Sequence, residues 1–309
     1  MAYYSGQAAS YQELLNVLVD ACVDQGWTWA DGILSKGGAF VRPYASTLTT
    51  SAQGPGLIVQ GGTGKNGTTL INPSPAQVRI GSFGLNPTIP DPVFPVGYHV
   101  FIFDTEVFLI IKYSIERFFY IAFGLSIINA GLWLSGTLPL RYLNNVGGQK
   151  SINISLTTAG ETQSGSYPSS SGFFLQTYGA TSVNATDAIY INGLGWCGGE
   201  GSTTINHFSA LYSTQPLLSR LPSAWSLETV LLAIQPIMLL ASSKRMIIAD
   251  ILNARYLRIN NYEPEQIITL GIDKWMVFPF HKKNAAVPNG GSNIDHTGTF
   301  GWAIRYDGP

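Results

Sequence analysis

The first twenty-six residues carry the clearest periodic pattern in the chain. Ser10 is followed three residues later by Glu13, which is the arrangement of a helix capping box. Tyr11, Leu14, Leu15, Leu18 and Cys22 then recur at helical spacing until Gly26 supplies a stop. This predicts one amphipathic helix. Trp27-Thr28-Trp29 and Ile33-Leu34 flank Ala30-Asp31-Gly32, and an Asp-Gly pair between apolar stretches favours a tight hairpin. Residues 1–45 are therefore expected to form a helix packed on a small hairpin, a compact anchoring unit suited to plugging into a neighbour.

Past Pro43 the period changes. Leu57 to Gln60, Val78 to Ile80, Tyr98 to Phe103 and Val107 to Tyr113 are short, β-branched or aromatic, and bounded by turn residues, as strands are. Asp104-Thr105-Glu106 would join the last two as a hairpin. Pro87, Pro90, Pro92 and Pro95 make Asn86 to Gly97 an extended crossing segment rather than a central strand. Leu227 to Leu240 is apolar, with Pro236 breaking any helix. Met246 to Leu252, Tyr256 to Ile259, Gln266 to Leu270, Lys274 to Phe280 and Phe300 to Tyr306 read as five more strands. No fixed-period repeat is present. The expected fold is mainly β with a small N-terminal α+β unit: residues 46–309 form an antiparallel β-sandwich-like body with long Gly/Ser/Asn-rich loops at 151–225.

Between Arg117 and Arg141 the chain carries no charge, over a length that could cross a bilayer. Ser126, Asn129, Ser135, Thr137, three glycines and Pro139 interrupt this block, so a buried strand-and-loop region or a subunit contact is expected and a membrane span is not.

Composition narrows the function. Only 11% of the 309 residues are charged against 45% hydrophobic, and 17 Lys+Arg nearly balance 18 Asp+Glu. Soluble domains commonly carry about 25% charge. Here Gly, Pro, Ser, Thr and Asn replace it, with Gly at 34 and Pro at 17. A surface this weakly charged is poorly protected against association, which points to a component of an assembly. No Lys or Arg occurs from Ser151 to Ser219, and the net charge is near zero, so no nucleic-acid partner is expected. Cys22 and Cys197 make no disulfide framework and lack zinc-ligand spacing, which fits a reducing compartment. Met1 to Ser10 lacks the features of a secretory signal.

Motifs for chemistry fail in detail. Gly61-Gly62-Thr63-Gly64-Lys65 resembles a phosphate-binding loop, but Val59 and Asn66 stand where that loop needs Gly and Ser or Thr. His99, His207, His281 and His296 are far apart, and none belongs to a metal-binding pair. His99, in a predicted strand, is expected to be a hydrogen-bonded structural residue. His296 beside Asp295 has no nucleophile elbow to serve. Asp104 and Glu106 would share a sheet face but sit at a hairpin tip, where exposed charge is ordinary. No catalytic, metal or cofactor residue is assigned, and no enzymatic activity is expected. The candidates for ligand or partner contact are aromatic: Trp196, set among glycines where a loop tip is expected, with Trp27, Trp29, Phe118, Phe119 and Tyr120.

Several stretches carry a resemblance. Tyr4-Ser5-Gly6-Gln7-Ala8 leads through Tyr11-Gln12-Glu13-Leu14-Leu15 to Ala21-Cys22 and Gly26-Trp27. Leu57-Ile58-Val59-Gln60-Gly61-Gly62-Thr63-Gly64 and Leu221-Pro222-Ser223-Ala224-Trp225 follow. Ala254-Arg255-Tyr256-Leu257-Arg258-Ile259 and the stretch Thr297 to Gly308 complete the set. Together these resemble the virion structural proteins of tailed bacteriophages, those of the tail or baseplate region. The resemblance implies a non-enzymatic particle protein, assembled in the host cytoplasm and located in the virion. Its partners would be copies of itself and other virion proteins. The alternatives are a receptor- or carbohydrate-binding tail protein using Trp196, a polysaccharide hydrolase using Asp104, Glu106 or Asp187, and a head or neck protein.

Overall fold

The computed structural model describes residues 1–49, 53–82, 91–128, 130–140, 174, 186–198, 207–210, 214, 229–240, 244–259, 261–280, 282–283 and 300–308. Most of the expected loop region 151–225, together with Pro87, Pro90, His281, Asp295 and His296, lies outside them.

The chain opens with strand β1 (Ala2–Ala8), passes into α1 (Tyr11–Asp24), and returns through β2 (Thr28–Ala30), β3 (Ile33–Lys36) and β4 (Ala39–Ser46). Next come β5 (Gly56–Gly62), the small hairpin β6 (Gly64–Asn66) and β7 (Thr69–Ile71), and β8 (Gln77–Gly81). A meander of β9 (Val96–Ile102), β10 (Glu106–Ser114), β11 (Arg117–Leu125) and β12 (Ala130–Gly136) leads to β13 (Leu138–Pro139). The remaining strands are β14 (Asp187–Ile191), β15 (Gly195–Gly198), β16 (His207–Ser209), β17 (Leu232–Ile234), β18 (Ile237–Leu240) and β19 (Lys244–Ile247), then β20 (Ile251–Arg258), β21 (Ile267–Leu270), β22 (Asp273–Pro279) and β23 (Phe300–Arg305). The fold is mainly β, as expected, with α1 the one helix among the described residues.

The centre is a seven-stranded antiparallel sheet in the order β1-β9-β10-β11-β12-β14-β15. β10 and β11 are buried on both faces, which is why they read as continuous apolar runs instead of alternating ones. The uncharged block from 118 to 140 is thereby explained: it supplies two interior strands, β11 and β12. On one face Phe118 and Tyr120 meet the five-stranded sheet β17-β20-β23-β22-β21, with Phe118 5.8 Å from Phe278 and Tyr120 4.4 Å from Trp302, ring centre to ring centre. On the other face Phe123 meets Trp27 edge-on at 5.6 Å. That side is covered by α1 and the six-stranded sheet β13-β8-β5-β4-β3-β2. A three-stranded sheet β16-β18-β19 shares the same core.

Local chemistry places each part. Ser10 caps α1 by accepting from Glu13 N–H at 3.1 Å, and the Glu13 carboxylate accepts from Ala9 N–H at 2.6 Å. Leu14, Leu18, Val19, Ala21 and Cys22 form the buried stripe against β4, β5 and β9. Asp31 and Gly32 adopt φ of 57° and 78°, both left-handed, as the expected tight turn between β2 and β3 requires. At the opposite margin the chain crosses between sheets at Gly136-Thr137. Thr137 Oγ1 accepts from Tyr120 N–H at 2.7 Å, while Leu138 pairs with Arg79 in the other sheet. A Cβ at Gly136 would lie 2.7 Å from Val78 Cβ, so only glycine permits this approach.

The helix and hairpin expected within residues 1–45 are present, but their strands are shared with the body. β1 is an edge of the central sheet, paired along its length with β9, and β4 runs through residue 45 in register with β5.

Candidate functional site

One polar cluster joins residues far apart in sequence. β1 supplies Tyr3, β9 His99, β10 Lys112, and the turn before β21 Glu265. Tyr3 Oη lies 2.8 Å from His99 Nδ1, His99 Nε2 lies 2.9 Å from Glu265 Oε1, and Lys112 donates to Glu265 Oε2. A carboxylate can only accept, so Nε2 donates to Glu265 and Nδ1 is left to accept the Tyr3 hydroxyl. Burial pulls the Glu265 carboxyl upward, but the hydrogen bonds from His99 and Lys112 and the charge of Lys112 outweigh it and hold the group below the usual carboxylate range. Hydroxyl, imidazole and carboxylate in line have the form of an activated nucleophile. The hydroxyl here is a phenol whose pKa burial raises, and its ring packs on Phe101 at 5.1 Å and Tyr306 at 5.0 Å. The cluster works as a latch between the central and five-stranded sheets. His99 is thus hydrogen-bonded as expected, whereas the four-residue grouping had no local signal in a sequence that separates its members by up to 262 positions.

The carboxylates proposed for hydrolysis do not share a cleft. Asp104 is exposed, but Glu106 is buried, contrary to the expected exposed tip, because it begins strand β10. Its Oε1 accepts from Leu252 N–H at 2.7 Å, and its Oε2 accepts from Asn253 N–H and Nδ2–H at 2.9 Å each. Burial raises its pKa, and these bonds oppose the rise. Asp187 is also buried and accepts from Phe174 N–H at 3.1 Å. Lys65 of the glycine-rich stretch donates to Ala30 O and pairs with Asp31 at 3.2 Å, so it fastens the β6–β7 hairpin to the β2–β3 turn. Cys22 and Cys197 are buried free thiols, with burial pushing Cys197 up to about 11 and Cys22 higher still. Among the described residues no three His, Cys, Asp or Glu side chains converge as a metal site.

The aromatic candidates separate by burial. Trp27, Phe118, Phe119 and Tyr120 are core residues, so the contact role expected for them is corrected to packing: each lies on a strand or turn between two covered layers. Trp196 is half-buried and lies in strand β15, not at a loop tip. Its indole N–H donates to Asn72 O at 2.8 Å, and Tyr190 covers it at 5.3 Å. Trp29, on edge strand β2, is 39% exposed.

Sequence reasoning passed over the exposed apolar residues at sheet margins. The β21–β22 hairpin carries Ile267, Leu270 and Ile272, the last 97% exposed. Met246 and Ile247 are exposed on β19, and Ile115 stands at the β10–β11 turn. For Ile267 and Leu270 the signal is the uncharged stretch Gln266 to Leu270, which reads as an ordinary strand. The β21–β22 margin, built from a backbone edge and aliphatic side chains, can join another polypeptide. No helix among the described residues is long and apolar enough to cross a membrane. No protein-family model and no curated protein matches the chain.

Proposed function

We propose that this protein is a structural subunit of a tailed-bacteriophage virion, of the tail tip or baseplate region, that works through contacts with copies of itself and with other virion proteins. The observation that carries the reading is the apolar margin of the five-stranded sheet, where Ile267 and Leu270 on edge strand β21 and Ile272 in the turn after it face solvent. Exposed apolar surface on a sheet edge marks an interaction site. The low charge of the chain and its resemblance to virion proteins support the same reading. The Glu106 and Glu265 clusters also suit a structural role, because each ties the central sheet to the five-stranded one.

The receptor- or sugar-binding alternative rests on Trp196. Its N–H donates internally and one side is covered by Tyr190, which favours packing. The deciding experiment is localisation in purified particles by antibody labelling and mass spectrometry. The chain is expected at the tail end in stoichiometric amount. Particles that lack it, or in which only traces are found, would overturn the reading.

A further inference from the structure

Among the described residues, β21 is bonded to β22 on one side and ends its sheet on the other. Val277 N–H donates to Gln266 O and Val277 O accepts from Glu265 N–H, at 2.9 and 2.7 Å. Bonded positions alternate along an antiparallel ladder, so they recur at Ile268 opposite Trp275 and at Leu270 opposite Asp273. The N–H and C=O groups of Ile267 and Thr269 therefore point away from β22.

Natural edges are blunted by lysine, proline or a bulge. From Gln266 to Ile272 there is no charged residue and no proline. The irregular step at Glu265-Gln266 precedes the strand and does not interrupt it. β1 is also an uncharged edge but carries none of the exposed aliphatic side chains, while β19 carries Lys244 and Arg245 and β2 has three residues.

We propose that β21 pairs antiparallel with β21 of a second copy of this chain, about a twofold axis at Ile268, so that two five-stranded sheets continue as one. The inference rests on the assembly reading above and names the partner for its apolar margin. In this register Ile267 faces Thr269 of the second copy on both sides of the axis, and their outward N–H and C=O groups form two bonded pairs. Ile268 faces its own counterpart as the non-bonded pair, with Cα atoms about 4.5 Å apart. That pair extends the cluster of Ile268, Trp275, Leu257 and Val277 across the junction. A shift that sets Thr269 opposite itself would place Ile267 against Gly271, where φ of 64° ends the strand. A second copy also suits the charge pattern. The strand brings no like charges together, because Glu265 is held by His99 and Lys112, and Asp273 is paired with Arg305 at 2.8 Å.

The test is sedimentation velocity of the full chain over a concentration series. A concentration-dependent dimer is expected. Thr269→Pro removes an outward N–H without touching a bond to β22, and it should weaken association at least about tenfold while leaving thermal unfolding near wild type. Ile267→Lys should act in the same direction. Ile268→Cys should give a disulfide-linked dimer on mild oxidation, since the non-bonded pair brings the Cβ atoms within bridging reach and both native cysteines are buried. Association that ignores Thr269→Pro and Ile267→Lys, with no cross-link through Ile268→Cys, overturns the self-pairing and leaves the assembly reading intact. A chain monomeric at every concentration also overturns the self-pairing, and if it is in addition missing from particles both readings fall.

Discussion

Glu106 and Glu265 are both carboxylates between the same two sheets, yet their surroundings drive them in opposite directions. Both oxygens of Glu106 accept hydrogen bonds from β20, so Glu106→Gln would set an amide NH2 against an N–H donor. An expected loss of about 1–3 kcal/mol follows, measurable by urea unfolding. Burial raises the Glu106 pKa, so its contribution is full below the unfolded-chain value and diminishes as pH rises through the higher folded value. Glu265 behaves inversely. Its folded pKa is depressed, so its contribution is full above the unfolded value of about 4.3 and is lost as pH falls through the folded one. Glu265→Gln should therefore be less stable than wild type near neutrality, with the difference shrinking in acid. A gap between the two unfolding midpoints that stays constant across that range would contradict the latch.

At the scale of elements, α1 depends on a cap that sequence alone makes visible. Ser10→Ala should cost about 1 kcal/mol, read as a lowered thermal midpoint. Gly136→Ala tests the crossing between sheets. The added methyl meets Val78 at 2.7 Å and must force β12 and β8 apart, at an expected cost of about 1–3 kcal/mol in the same assay. A wild-type midpoint for Gly136→Ala would mean that the two sheets part more easily than their packing implies. Elements with local signals were legible: the helix from its cap and spacing, the β2–β3 turn from Asp31-Gly32, and β5, β8, β9 and β10 from short apolar runs. β1 was not. Its sequence Ala2–Ala8 has no alternation, and it becomes a strand only through pairing with β9, about ninety residues away. The stretch read as one strand, Met246 to Leu252, divides between β19 and β20, which belong to different sheets.

For the molecule as a whole, association through an uncharged edge should resist salt. Raising ionic strength should leave the dimer fraction unchanged or increased in light scattering, because the contact consists of main-chain bonds and aliphatic side chains. Dissociation by salt would indicate a contact through charged residues elsewhere.

Composition and periodicity were sufficient to determine the class: β-rich, weakly charged, antiparallel, with one capped helix. These properties arise from neighbours a few positions apart, and local sequence encodes them directly. The same residues could not reveal which apolar runs would be covered. Phe118-Phe119-Tyr120 and Ile267-Ile268 are similar as sequence, but the first is enclosed by sheets on both faces and the second lies at a margin. Only the tertiary structure decided that, and it also brought Tyr3, His99, Lys112 and Glu265 together. Burial and long-range hydrogen bonds depend on strand order, and strand order is set by pairings between segments tens to hundreds of residues apart.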